Sequence, residues 1–219
     1  MDIIITIGLI IAAYLLGSIP TSVWIGRGFF NKDVRDYGSG NSGATNTFRV
    51  LGTTPGIVVF LIDLLKGLLA VSLVYLSSAF PEGSELFSTF QLILGIAAIL
   101  GHIFPVYAGF KGGKGVATLF GAILGISFFP TLIMAGVFFA TLFLTKYVSL
   151  SSLLAGISYP ILMITVFNVS ATSMIIFSIL VAVLIVITHQ KNIERLLHNQ
   201  ENKADLSKIV VKSGKNDDE

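Results

Sequence analysis

The sequence has no cysteine among its 219 residues, and only one tryptophan. It therefore has no disulfide framework, no thiolate nucleophile and no cysteine-ligated metal. Charge is scarce as well: Asp, Glu, Lys and Arg make up 12% of the chain, about half the share of a typical soluble domain. Three histidines, at 102, 189 and 198, lack any ligand spacing, and the carboxylates do not cluster. No metal and no cofactor are expected. A net charge of +2 without a recognisable binding motif gives no reason to expect nucleic acid. The Gly-x-Ser-x-Gly nucleophile elbow is missing, although Ser39 stands between Gly38 and Gly40.

What is present is apolar. Hydrophobic residues form 54% of the chain, with 17 phenylalanines, and the mean hydropathy is +0.88. These values predict an all-α integral membrane protein. Seven transmembrane helices are expected, near 3–26, 56–79, 89–107, 116–129, 131–145, 150–167 and 171–188. Pro130 is expected to mark a turn inside 116–145, and Pro160 to kink the sixth span. The acidic head Met1-Asp2 before a long apolar run argues for a retained first span rather than a signal peptide.

Lysine and arginine set the orientation. With seven spans and the N-terminus outside, every basic residue except Lys66 falls on the cytoplasmic side, and the external side holds only Asp2, Glu82 and Glu85. An even number of spans with the same start would export the C-terminal lysines. The chain therefore reads as a membrane domain, residues 1–198, and a polar cytoplasmic tail, 199–219, expected to fray.

Two polar, glycine-rich stretches interrupt the apolar helices on that cytoplasmic side. The first is Tyr37-Gly38-Ser39-Gly40-Asn41-Ser42-Gly43-Ala44-Thr45-Asn46, followed by Arg49. Gly40 and Gly43 allow close backbone approach, and successive amides can form an anion nest. Ser39, Asn41, Thr45 and Asn46 add side-chain donors, and Arg49 offers a fork that fits phosphate. The second is Phe110-Lys111-Gly112-Gly113-Lys114-Gly115, which opens a helix through Val116, Ala117 and Thr118. Two lysines at a helix N-terminus favour an anion. The spacing is not that of a Walker A loop, so ATP is not implied. A third segment, His189 to Leu197, puts His189, Asn192 and Arg195 along one helix face in the same layer. His102 lies near the inner end of the third span. Asp63 and Lys66 sit inside the second span, spaced to pair across one turn.

Each stretch also has a plainer use, as a capped loop, a positive-inside anchor or a structural ion pair. Taken together they fit a site for one or two phosphates next to an apolar partner. An acyl-transfer enzyme, a phosphate or organophosphate transporter and a lipid-binding scaffold all remain compatible with these residues.

Three motifs in order carry a resemblance that separates these readings. They are Ser39 to Asn46 with Arg49, Phe110 to Thr118 preceded by Gly101-His102 and Phe104-Pro105-Val106, and His189-x-x-Asn192-Ile193-x-Arg195-Leu196. Gly17-Ser18-Ile19-Pro20 and Asp63-x-x-Lys66-Gly67 extend it over nearly the whole chain. The sequence resembles the bacterial acyl-phosphate-dependent glycerol-3-phosphate acyltransferase family (PlsY). The resemblance implies transfer of a fatty acyl group from acyl phosphate to the sn-1 hydroxyl of glycerol 3-phosphate, giving lysophosphatidate and inorganic phosphate. It implies the first acylation of phospholipid synthesis, in a bacterial inner membrane, with the site on the cytoplasmic side. It assigns Arg49, Lys111 and Lys114 to phosphate recognition, and Ser39, Asn41, Thr45 and Asn46 to positioning the substrate. His189 and Asn192 would orient glycerol 3-phosphate. Gly40, Gly43, His102, Gly112, Gly113, Gly115, Thr118 and Arg195 would complete the binding surface. The partners implied are the two substrates, membrane lipid and a functional link to the enzyme that forms the acyl phosphate, with the chain acting as a monomer.

Overall fold

The structure, a computed structural model, describes residues 2–204. Among them there are helices and turns and no strand. Ten α-helices follow in order: α1 Asp2–Gly17, α2 Thr21–Phe30, α3 Ala44–Leu51, α4 Thr53–Ser72 and α5 Glu85–Ile103, then α6 Val116–Ile126, α7 Phe128–Thr145, α8 Val148–Ile161, α9 Thr172–Thr188 and α10 Gln190–Leu197.

By length and composition, four segments are able to cross a membrane: Thr53–Leu76, Glu85–Ala108, Phe128–Thr145 and Val148–Val166. The count rises to six if α1 with α2, bent by 41°, and α9 with α10, bent by 62°, each form one span. The remaining expected span corresponds to α6, an apolar helix of 11 residues. At 1.5 Å per residue it is about 16 Å long, short of the roughly 30 Å hydrocarbon layer.

Two local expectations are corrected, and a third position is described in more detail. The first span is not one helix over 3–26, because Pro20 has no N–H to donate and the chain breaks between Gly17 and Thr21. The break between α6 and α7 falls at Ser127, not at Pro130. Pro130 sits in the first turn of α7, where a missing N–H costs nothing. Pro160 lies inside α8, and the helix widens just after it into a π-helical turn over Leu162–Val166.

Two apolar clusters hold the bundle, and α5 belongs to both. One joins Leu92 and Ile99 of α5 to Leu119 and Ile123 of α6, Met134 of α7, Leu153 and Tyr159 of α8, and Phe177, Val181 and Ile185 of α9. The other joins Phe90, Leu94 and Ala98 of α5 to Ala13 of α1 and to Ala70 and Val74 after it in chain order. The outward faces stay apolar, as lipid-facing surfaces do: Leu61, Phe143 and Ile176 are each at least half exposed.

Close approach of backbones sets two helix pairs. A Cβ on Gly17 would strike the Ala98 carbonyl, and one on Gly101 the Tyr14 carbonyl, which locks α1 to α5. A Cβ on Gly67 would strike the Thr118 carbonyl, and one on Gly121 that of Leu64, which locks α4 to α6. Packing at small residues, rather than a hydrophobic drive, holds helices together in lipid.

The tail expected from residue 199 starts by folding back. The Ala204 N–H donates to the Lys146 carbonyl at 2.7 Å, and the Lys203 ammonium lies over the Tyr147 ring. The rest of that tail, 205–219, lies outside the described residues.

Valine at Gly17, Gly101 or Gly121 should destabilise the protein by about 1–3 kcal/mol or more through overpacking. Alanine at Gly8 or Gly136, where nothing stands within 4 Å of a new Cβ, should be neutral. Thermal unfolding in detergent separates the two groups.

Candidate active site

The first polar stretch is organised from within by Asn46. Its buried side chain donates Nδ2 to the carbonyls of Val34 (2.8 Å) and Tyr37 (3.1 Å), and its Oδ1 accepts the Ser39 N–H at 2.9 Å. One amide thus ties the 3₁₀ turn Val34–Asp36 to the tip of the loop. Gly38 has φ +62°, and a Cβ there would run into Asn46 Oδ1 and crowd the Arg49 side chain. Asn41 Oδ1 accepts the Gly43 N–H at 2.9 Å, an Asx turn that leads into α3. Ser22 of α2 donates to the Ser42 carbonyl at 2.6 Å and fixes the loop to the bundle. With this framework made, Ser39, Gly40, Thr45 and Arg49 are left at the surface.

The second stretch folds back on the end of α5. Gly112 and Gly113 donate their N–H groups to the carbonyls of Ile103 (3.1 Å) and His102 (3.2 Å). These two amides close the end of α5 and do not form a nest. A side chain on Gly112 would collide with those carbonyls, and one on Gly113 with the His102 ring. The fold back brings Lys114 to Gly115, at the positive end of α6.

Beneath both loops lies a buried polar group. Asp63 Oδ1 accepts from Lys66 Nζ at 2.9 Å and from Thr21 Oγ1 at 3.0 Å. Lys66 Nζ also donates at 3.0 Å to the Ile19 carbonyl, which lies at the break between α1 and α2 and accepts the Thr21 N–H as well. His102 Nδ1 is 3.1 Å from Thr118 Oγ1 and 3.9 Å from Asp63 Oδ1. His102 and Thr118 are thus buried supports under the glycine loop.

The third segment meets the second directly. Lys114 donates to Asn192 Oδ1, and Asn192 Nδ2 donates to Glu201 Oε1 at 2.7 Å. Ser149 donates to the same oxygen at 2.9 Å, and Arg195 Nε to Glu201 Oε2 at 2.7 Å. Glu201 therefore fixes which way the Asn192 amide faces, with its carbonyl oxygen toward Lys114. Burial pushes the Lys114 ammonium down to about 8. Glu201 opposes that shift, while Arg195 and Arg49 add to it. Burial pushes the Glu201 carboxyl up, but the hydrogen bonds from Arg195, Asn192 and Ser149 outweigh it and hold it below the usual glutamate range. His189 is buried at the head of α10, with Nδ1 2.8 Å from the Ile185 carbonyl. That partner requires the proton on Nδ1 and leaves Nε2 as an acceptor.

Lys114, Asn192 and Arg195 thus converge, with Arg49 close enough to act on Lys114. Lys111 is exposed, and its backbone carbonyl accepts from Arg35. A surface depression of about 370 Å³ beside α10 is lined by Lys191, Glu194, Arg195, His198 and Gln200. It shares only Arg195 with the sequence-predicted residues. Sequence reasoning missed Glu201, Ser149, Asp33 and Arg35 as parts of the site. Asp33-x-Arg35 just before the first glycine stretch was a usable signal. Glu201 gave none, since it lies in a stretch whose composition reads as a solvated tail.

The apolar helices, with Lys114, Asn192, Arg195 and Glu201 joined beside them, define an integral membrane protein with a polar cluster rich in basic side chains. The family model described as glycerol-3-phosphate acyltransferase matches residues 7–199. A glycerol-3-phosphate acyltransferase of Staphylococcus carnosus is 45% identical over 197 residues, 89% of this chain and 96% of the relative. One from Staphylococcus saprophyticus is 46% identical over 196 residues, with the same coverage. The crystal structure of PlsY (YgiH), an integral membrane glycerol 3-phosphate acyltransferase, in its glycerol 3-phosphate form, superimposes with a TM-score of 0.80. It is 35% identical and covers 94% of this chain and 99% of its own. The chain belongs to the glycerol-3-phosphate acyltransferase family.

In the ligand-free protein, Lys114 should titrate near pH 8, while solvated lysines titrate near 10.4. Glu201→Gln removes a charge that favours the ammonium, so it should move the Lys114 titration lower still. Lysine-methyl NMR over a pH series measures both values.

Proposed function

We propose that this acyltransferase moves a fatty acyl group from acyl phosphate to the sn-1 hydroxyl of glycerol 3-phosphate. The hydroxyl oxygen attacks the acyl carbonyl carbon, the carbon–oxygen bond to phosphate breaks, and inorganic phosphate leaves. The hydroxyl proton goes to a phosphate oxygen of the substrate. The products are 1-acyl-glycerol 3-phosphate and inorganic phosphate.

The observation that carries this reading is the chain Lys114–Asn192–Glu201–Arg195, which joins two motifs 78 residues apart at the end of an apolar bundle. Lys114, Lys111 and Arg49 hold phosphate and stabilise charge that grows on the leaving group and on the carbonyl oxygen. Ser39, Asn41 and Thr45 supply donors beside them. Asn46 serves by holding Ser39 in place. His189, through Nε2, and Asn192 orient the attacking glycerol 3-phosphate, with Arg195 next to them. Gly40, Gly43, Gly112, Gly113 and Gly115 give the backbone its close turns, and His102 and Thr118 support the second loop. A base supplied by the substrate agrees with the burial of the Thr118–His102 hydroxyl–imidazole pair beneath the glycine loop.

The enzyme acts as a monomer in a bacterial inner membrane, in series with the enzyme that forms acyl phosphate. It crosses seven times, with α6 as the short fourth span, the N-terminus outside and the site on the cytoplasmic side. The excess of Lys and Arg on that side supports this arrangement.

Purified protein in detergent should make lysophosphatidate from acyl phosphate and glycerol 3-phosphate, and none when acyl-CoA replaces acyl phosphate. Product from acyl-CoA alone would overturn the choice of donor. Lys114→Ala and Asn192→Ala should each lower turnover by about 10² or more with the melting temperature kept. Because the natural chain lacks cysteine, single substitutions report topology without background. Glu82→Cys and Ser170→Cys should react with an impermeant maleimide in intact cells, and Lys32→Cys and Lys203→Cys only after permeabilisation.

A further inference from the structure

Phe110 has φ +59°, in the left-handed region that bulky side chains rarely enter. It is 59% exposed, so packing does not force it there. The hydrogen bonds around it do. Its own N–H donates to the Pro105 carbonyl at 2.9 Å. The carbonyls of Ala108 and Lys111, which flank the turn, both accept from Arg35 Nη1, at 3.0 and 3.4 Å.

The other edge of the Arg35 guanidinium is filled by Asp33. Nε lies 3.0 and 3.2 Å from the two carboxylate oxygens, and Nη2 lies 2.8 Å from Oδ2. Asp33 Oδ1 also accepts the Arg35 backbone N–H at 3.0 Å, and Oδ2 accepts from Arg27 at 2.8 Å. The hydrogen bond from Arg35 holds the Asp33 carboxyl well below the usual aspartate range, against the opposing effect of burial. The guanidinium is thus paired with a carboxylate, and four of its five N–H donors have protein partners. It is built as a strut between the two loops, not as a ligand for phosphate.

The run Lys111-Gly112-Gly113-Lys114 is consequently held on two sides. The carbonyls of α5 take Gly112 and Gly113 from beneath, and Arg35 takes Ala108 and Lys111 from the side. We infer that Arg35, aimed by Asp33, is a positioning residue that holds the Phe110 turn and thereby sets where Lys114 meets the substrate phosphate. This rests on the acyltransferase reading for its kinetic signature and on glycerol 3-phosphate as the anion.

The test compares R35K, D33N, the double variant and F110G/R35K. Turnover is measured with acyl phosphate, and glycerol 3-phosphate binding is measured by calorimetry without acyl donor. Lysine keeps the charge but lacks the planar fork, so it cannot hold Asp33 and two carbonyls at once. R35K should raise KM and Kd for glycerol 3-phosphate by about tenfold or more, with kcat and melting temperature little changed. D33N should shift them the same way, and the double variant should be no worse than R35K, because the two residues act as one unit. Glycine adopts the Phe110 geometry without support, so F110G/R35K should recover part of the lost affinity. A purely structural role would lower the folded fraction and kcat, leave KM unmoved and show no rescue. Unchanged KM and Kd in R35K and D33N, or no recovery in F110G/R35K, overturns the proposal. If R35K does not fold, D33N and F110G/R35K decide by the same measures. A wild-type chain that binds glycerol 3-phosphate but forms no product defeats the acyltransferase reading, and the affinities still decide for or against the strut. A wild-type chain that binds none overturns the strut as stated.

Discussion

The Lys66 ammonium is the point on which the rest of the fold rests. It is buried in an apolar bundle, 4% exposed, between the Asp63 carboxylate and the Ile19 carbonyl. Each contact solves a different problem. Asp63 neutralises a charge that lipid does not solvate. Ile19 is at the break between α1 and α2, where Pro20 interrupts the helical hydrogen bonding, and its carbonyl takes Lys66 as a second donor beside the Thr21 N–H. Removing only one member of a buried pair costs about 3–5 kcal/mol, because the other is left uncompensated. Here it would also unseat the break that turns the chain toward the first polar loop. Thr21 and His102 reach the same carboxylate, so both loops of the site are referenced to a single buried group.

An enzyme built this way works with fixed charges and donors. Its bases stand at the ends of apolar helices, where partial desolvation strengthens their action on an anion. Lys114 shows the balance. Burial weakens its hold on a proton, and Glu201 restores part of it. Glu201 also keeps Arg195 and Asn192 from relaxing toward solvent. A carboxylate among these basic side chains looks counterproductive until its partners are counted. It takes donors from three side chains and orders the amide that faces Lys114.

Much of this was legible in the sequence. The apolar runs gave the helical membrane architecture, and the residues of the three motifs gave the family and most of the polar side chains. Periodicity could not locate the breaks. An apolar run reads alike whether it is one helix or two, so the sequence points to a turn at Pro130 while the chain breaks at Ser127. The ties that shape the site were also hidden. Arg35 reaches carbonyls 73 and 76 residues away, and Ser149 reaches Glu201 over 52. Contacts between a side chain and a distant main-chain group leave no spacing to read. Asn46 and the two middle glycines of the second loop stand in the motifs, but their tasks lie within the loops, which only the folded backbone displays.

The sharing of α5 between two apolar clusters bears on how the protein is made. One cluster draws on residues 13 to 98 and the other on 92 to 185. During synthesis the first can close as soon as α5 has entered the bilayer, while its opposite face still meets only lipid. That face then serves as the template on which α6 to α9 assemble. The Asn192 contact to Lys114 forms at the last step, when α10 arrives. A nascent chain that has not yet made α10 therefore lacks the contact that joins Lys114 to Asn192.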